Sequence, residues 1–226
     1  ILLGPLLLMA AMLTLLGGAF ESASTRLLVA ATYPVGFVFV TLGRSELFTE
    51  HTTLATFPVL ARRAPLARLL RLWAIVYVAN LLGAACFALL VVWIGPGLGA
   101  VERPVFGTLA MELVEHDGAI MFASGVLAGW LMGLLSWLLA ASQDTISRIV
   151  VTVLVTSAIG IAGLHHAIAG SVEVLAGVLT SPELSFLDYL RFLLWATLGN
   201  AVGGVVFVAI VKFSHARKMG DGEPGS

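Results

Sequence analysis

Charge is what this sequence has least of. Only 11% of its residues are Asp, Glu, Lys or Arg, against 59% hydrophobic and a mean hydropathy of +1.03, which leaves no water-facing shell for a soluble globule. The chain therefore reads as a polytopic all-α membrane protein, and 226 residues give room for six or seven spans in one membrane domain. A basic surplus is missing too: a net charge of −1 supplies no face to neutralise phosphates, so no nucleic-acid partner is expected. Cysteine is reduced to Cys86, inside an apolar run, which excludes a disulfide framework and a thiolate metal site. No His-Glu-x-x-His occurs, and adjacent histidines point about 100° apart on a helix, so an intramembrane metalloenzyme lacks its ligand face. No enzyme activity, metal or organic cofactor is expected. Ile1–Phe20 lacks the charged start and small-residue cleavage site of a signal peptide; it reads as a true span, with more chain expected upstream of it.

What is present is a series of apolar segments, two of them interrupted. Arg148 to Leu164 is apolar enough to enter a bilayer, and it then delivers His165 and His166 near the depth of the bilayer centre. A charged side chain there costs about 2.5–3.5 kcal/mol on insertion scales, so the pair needs a wet cavity or packed partners. Gly163 and Gly170 bracket the pair and let the helix break, exposing backbone groups that only a cavity or protein packing satisfies. The second interruption follows the apolar run from Arg26 to Leu42. It is the polar stretch Gly43 to Thr53, which starts about 25 Å along a helix from Arg26, and apolar character resumes at Leu54.

Taken in order, span 1 covers about Ile1–Gly18, and the turn Glu21–Ser24 follows. Span 2 runs from Arg26 and is broken at Gly43–Thr53. Span 3 is Leu69–Ile94, with Trp73 and Trp93 as interfacial anchors. Gly95–Asp117 reads as a loop, and span 4 is Ala119–Ala141, whose Gly125, Gly129 and Gly133 permit close helix approach. Span 5 is broken at the histidines and resumes from Ala167 to Leu179; span 6 is Leu187–Phe213, and Ser214–Ser226 is a polar tail. Six spans broken at the second and fifth divide into two inverted three-helix repeats, about 1–94 and 119–213, within one domain of residues 1–213. Asn80-Leu81-Leu82-Gly83 and Asn200-Ala201-Val202-Gly203 echo one another across them. Paired broken helices point to a midplane substrate site. The resumed half-helices, one after Thr49 and one after His166, would present positive ends and free N–H groups, which favour an anion. Arg62, Arg63, Arg68, Arg71, Arg148, Lys212, Arg217 and Lys218 fall on one side of this plan, and only Arg26, Arg103 and Arg191 on the other, which places both termini and the tail in the cytoplasm. The opposite face is acidic, with Glu21, Glu102, Glu112, Glu115, Asp117, Glu183 and Asp188.

Tyr33-Pro34-Val35-Gly36-Phe37, Gly43 to Thr49, Leu72-Trp73 with Tyr77 to Gly83, Gly163 to Ala169 and Leu198 to Gly204 together resemble the formate/nitrite transporter family, in the right order across nearly the whole chain. The resemblance implies an aquaporin-like protomer with its own pore, a homopentamer in the lipid bilayer of a bacterial inner membrane, and passage of small monovalent anions. It places the family's central histidine on His166 as a proton donor or relay. Thr49 and Asn200 become its polar pore partners, and Leu47 and Phe48 part of a narrow gate. Tyr33, Phe37 and Ile159 fall at the other apolar constriction positions. An anion that takes a proton at a dry constriction crosses as the neutral acid and avoids the desolvation penalty of a bare charge; a histidine, with a reference pKa near 6.5, is suited to this exchange.

The departures from the family pattern matter equally. Met111–Asp117 is acidic where formate channels carry a vestibule lysine, and Gly129 stands where an asparagine is expected. Arg44, Glu50, His51 and His165 add polarity. Arg44 and Glu46 read either as a gate or substrate-binding pair or as an internal ion pair that shapes the loop. Glu50 and His51 read as caps of the resumed helix. Glu173, seven residues after His166, shares its helical face and lines the pore or an interface between copies. Asn80 and Asn200 support the broken loops, and His165 is a secondary pore or interface group. The alternative functions are an aquaporin-like channel for water or small neutral solutes, which the acidic vestibule favours, and a non-conducting scaffold or sensor.

Overall fold

The computed structural model describes residues 4–18 and 22–211. Glu21, Lys212, Arg217, Lys218 and the tail Ser214–Ser226, all used in the orientation reading, lie outside the described residues. Among those described every regular element is helical. Four stretches are long and apolar enough to cross a bilayer: Ala23–Leu42, Leu66–Gly97, Gly118–Ala141 and Phe186–Val206. The protein is an integral membrane protein.

The expected first span is α1 (Gly4–Leu15). The second is divided more finely than its sequence suggests. α2 (Ala23–Ala30) and α3 (Pro34–Gly43) are separated by a turn, because Pro34 has no N–H to continue the ladder. α4 (Phe48–Leu54) and α5 (Phe57–Leu60) follow the break. The polar stretch is thus a loop only as far as Leu47; Phe48 to Thr53 is already helix. α6 (Leu66–Gly97) is the long third span, and its outward Ile75, Val78, Leu82, Leu89 and Trp93 form a lipid-compatible surface.

The expected loop Gly95–Asp117 contains a buried helix instead, α7 (Arg103–Val114). Its Val105, Phe106, Leu109, Ala110 and Val114 recur at helical spacing and are buried, while Pro104 sits in the first turn, where a missing N–H costs nothing. α8 (Gly118–Ala141) is the fourth span. α9 (Thr145–Ile161) and α10 (Ala167–Thr180) are the arms of the broken fifth, each short for a bilayer. α11 (Phe186–Val202) begins the sixth, which continues as a π-helix over Gly203–Ile210 rather than as regular helix. The wide turn loosens the backbone ladder, and Thr53 Oγ1 donates to Gly204 O at 3.1 Å.

Polar caps start the elements at the chain's turns. Ser22 accepts from Thr25 N–H, Asp117 from Ile120 N–H, and Ser185 and Asp188 form a reciprocal capping box. Asp144 accepts from Ser147 Oγ at 2.6 Å and Ser147 N at 2.8 Å, and these bonds, the side-chain one first, hold its carboxyl below the usual carboxylate range. A lowered native value means that the cap stabilises fully above the ordinary carboxylate range and fades as pH falls through the lowered one. Titration of Asp144 by carbon-detected NMR is expected to show this lowered midpoint, and Ser147→Ala to move it back up.

α10 is the enclosed centre, buried from Ala167 through Val174 and packed on α6, α7 and α11. α3 and α9 lie against one another beside it, and α8 against α11 is the most extensive helix pairing.

Candidate functional site

The two breaks are built alike. α3 ends at Arg44, whose φ of 49° and ψ of 43° turn the chain left-handed, and an extended stretch leads to Leu47 at the N-cap of α4. Asn80 of α6 reaches across: its Oδ1 accepts from Phe48 N–H at 2.9 Å and its Nδ2 donates to Glu46 O at 3.1 Å. α9 ends near Gly163, whose φ of 60° makes the corresponding turn, and His166 is the N-cap of α10. Here Asn200 of α11 accepts from Ala167 N–H at 2.8 Å and donates to His165 O and Gly125 O, both at 2.9 Å. In each break one carboxamide grips the residues on either side of the N-cap. Asn200 is fully buried with its oxygen and both amide N–H groups engaged, so it positions the loop.

The broken ends meet at one contact, Thr49 Oγ1 to His166 Nε2 at 3.0 Å, between residues that are 0% and 1% exposed. Phe37 sets its ring edge-on to His166 with centroids 5.5 Å apart, and Tyr33 lies against Phe37. The hydrogen bonds fix the tautomer. Ala169 N–H donates to His166 Nδ1 at 3.1 Å, so Nδ1 carries a lone pair and the proton sits on Nε2, pointing at Thr49. Thr49 Oγ1 then accepts from His166 and keeps its own hydrogen to donate. The expectation of free N–H groups at the two helix starts is met only in part: Phe48, Ala167 and Ala169 N–H are taken by Asn80, Asn200 and His166, which leaves those of Thr49 and Ile168 free among the described residues. α4, at seven residues, also adds little dipole.

The doubled histidine has a separate role. His165 Nε2 donates to Leu113 O at 2.9 Å, because a carbonyl only accepts, and Ser124 Oγ donates to Nδ1 at 2.8 Å while accepting from His165 N–H at 3.0 Å. His165 is therefore a buried brace between α7, α8 and the loop. Ser124, which the sequence reading missed, is its partner; a hydroxyl two turns below an N-cap carries no local signal for this.

Two cavities approach the constriction along α3 and α9, which run from one to the other. The cavity on the acidic face, about 310 Å3, has His166 in its wall together with Tyr33, Ile159, Glu112, Glu115 and Glu173. Arg26 forks onto Glu112 at 3.0 and 3.1 Å there. The cavity on the basic face, about 280 Å3, is walled by Thr41, Arg44, Glu46, Glu50, His51 and Arg148. Leu47, Phe48, Phe37 and Thr49 line neither cavity, and all four are buried. Phe48 turns its ring onto Trp73 and Tyr77, anchoring α4 to α6. Glu46 pairs with His51 and not with Arg44, since the left-handed turn sends the chain back so that Glu46 faces the first turns of α4. Glu50 and His51 likewise do not cap α4; Asn80 takes the Phe48 N–H, and Glu50 faces the basic cavity.

The family description "Formate/nitrite transporter" matches residues 1–214. The inner membrane protein YfdC of Escherichia coli K12 is 31% identical over 84% of this chain, which spans 60% of that protein's length. The nitrite transporter NirC of Salmonella typhimurium is 27% identical, over 86% of this chain and 73% of its own. Among solved structures, an FNT family ion channel superposes with a TM-score of 0.80 at 24% identity, covering 95% of this chain and 86% of its own. A pentameric formate channel with formate bound gives 0.71 at 20% identity, covering 94% and 92%. These two show the fold. By the match along its length, with both broken helices inside it, the chain belongs to the formate/nitrite transporter family.

Proposed function

We propose that the protein is a channel or facilitator for small monovalent weak-acid anions of the formate and nitrite kind, one pore per protomer, with proton exchange centred on His166. The carrying observation is the Thr49–His166 contact where two broken helices meet between two cavities. Family membership and the names of relatives, nitrite transporters and a probable formate transporter among them, support the substrate class. The pentameric formate channel supports a homopentamer, and the inner membrane relative supports that membrane as the location. With the basic residues cytoplasmic, the Arg26 and Glu112 cavity is the outer vestibule and the Arg44 and Arg148 cavity the inner one. Residues 1–213 form one transmembrane domain of two inverted repeats.

The hydrogen bonds define the chemistry. An anion reaching Thr49 meets its hydroxyl hydrogen, which the Nε2–H of His166 leaves free. A bare charge is costly in this apolar neck, bounded by Phe37, Leu47 and Ile159, so passage is as the neutral acid. Giving up the Nε2 proton from the neutral ring requires a proton to arrive at Nδ1, which must release Ala169 N–H. The proton exchange and the first turn of α10 are thereby linked.

Proteoliposome uptake of formate, nitrite and glycerol at about pH 5.5 and about pH 7.5 tests the reading. Wild-type anion uptake is expected to rise at the acid pH. His166→Asn keeps a side-chain acceptor for the α10 cap but loses the Nε2 proton, and a drop of about tenfold in anion flux is expected. Glycerol or water flow indifferent to pH and to His166, without anion flux, would establish the neutral-solute channel instead.

A further inference from the structure

Glu173 is the buried titratable group that the central contact does not use. It is 8% exposed, it lines the cavity on the acidic face, and its carboxyl makes no hydrogen bond or ion pair with any described residue. His166, Gly170 and Glu173 occupy one face of α10, so Glu173 stands two helical turns, about 10 Å, outward of the histidine. The other titratable groups on this wall are Arg26 from α2, Tyr33 after it, Glu112 from α7, Glu115 and His116 after that helix, and His166. α9 contributes only apolar residues and backbone. The one cation, Arg26, is forked onto Glu112.

An ionised carboxylate withdrawn from water without a partner is unfavourable, and buried carboxyls of this kind hold a proton or find a charge. The cavity offers Glu173 no such charge. It does offer a path to solution past Glu112, Glu115 and His116, and a path inward to the Thr49–His166 neck. His166 is less free to exchange, since its Nδ1 is committed to the helix cap.

We propose that Glu173 is the proton-supplying group of the outer vestibule, protonating the entering anion before it reaches the neck. The carboxyl O–H of Glu173 breaks and an O–H forms on the anion. The neutral acid moves on, and the Glu173 carboxylate takes the next proton from water in the vestibule. In this way an acidic mouth that repels anions at long range becomes a mouth that accepts them with a proton, and no vestibule lysine is required. Glu173 touches the reacting proton, and the proposal rests on the weak-acid reading above.

The test is formate uptake into proteoliposomes against outer pH, at fixed inner pH, for wild type, Glu173→Gln and Glu173→Asp, with assembly checked by size exclusion. Glu173→Gln is expected to assemble as wild type does, to lose most of the acid stimulation, and to fall about tenfold near neutral pH. Glu173→Asp is expected to keep acid stimulation with the profile displaced along the pH axis. A Glu173→Gln profile that overlays an active wild type overturns the role of Glu173 and leaves the weak-acid reading standing. A wild type that passes neither formate nor nitrite overturns both. Should Glu173→Gln fail to assemble, the aspartate variant decides: a displaced profile supports the proposal and an unmoved one overturns it.

Discussion

Replacing Asn200 with leucine is expected to abolish anion flux and to destabilise the protein more than any single change in the neck itself. The side chain is 0% exposed and satisfies three backbone groups on two elements, Ala167 N–H, His165 O and Gly125 O. Leucine has the right size but no polar atom, so Ala167 N–H and His165 O are left buried without partners, while Gly125 O keeps only its bond within α8. At about 1–3 kcal/mol for each of these two groups, the loss is on the order of 2–6 kcal/mol, a large fraction of a domain's stability. The functional loss follows from position: Asn200 holds the residues on both sides of His166, and a shift of about 1 Å there breaks the Thr49 contact. Asn200→Asp sharpens the test. It still accepts from Ala167 N–H but sets an oxygen against the oxygens of His165 and Gly125, so it is expected to fall close to the leucine variant. Asn80→Leu loses two bonds at a partly exposed site, and a smaller loss is expected. Thermal melting by intrinsic fluorescence, with flux on the same samples, checks the series. An Asn200→Leu protein with wild-type Tm and flux would mean that the loop is held by its neighbours alone.

The residues that carried the sequence reading explain how far it reached. Gly163 and the polar run from Gly43 announce breaks, and both breaks are present, whereas Gly170 lies inside α10, where the Phe192 ring leaves no room for a side chain. The paired asparagines were legible as an echo and as supports of the broken loops, and only their specific partners were not: Asn80 takes Glu46 and Phe48, and Asn200 takes His165 and Ala167, across 32 to 35 residues. The expectation of free N–H groups fell short at Phe48 and Ala167 for the same reason, since a local reading of a helix start contains no partner from a distant helix. Arg44 and Glu46 suggested an ion pair by proximity, and the left-handed backbone at Arg44 undid it. α7 was hidden because Pro104, Gly107 and its acidic end look like loop, although its apolar residues repeat at helical spacing. Turn chemistry outweighed periodicity in that stretch, and the periodicity was the better guide.

The joint that Asn200 closes also explains a residue that departs from the family pattern. Gly129 lies where the resemblance leads one to expect asparagine, and the structure leaves no room for any side chain there. A Cβ added at Gly129 meets the Asn200 carbonyl oxygen and stands 2.6 Å from its Cα and 2.7 Å from its carbonyl carbon. Backbone atoms do not swing aside as a flexible side chain does, so α8 and α11 must separate. Gly129→Ala is expected to cost about 1–3 kcal/mol or more by overpacking, and Gly129→Asn to cost more still and to abolish flux. Separation also draws Gly125 O away from Asn200 Nδ2, which loosens His165 and His166 from a distance. The losses of Gly129→Ala and Asn200→Leu should therefore fall short of additive in the double variant, because both open the same joint. Gly97→Ala is the control, since nothing lies within 4 Å of a Cβ added at that helical site, and it should leave Tm and flux unchanged. Fully additive losses would separate the helix contact from the grip on the loop, and Asn200 would then hold His166 independently of how closely α8 approaches.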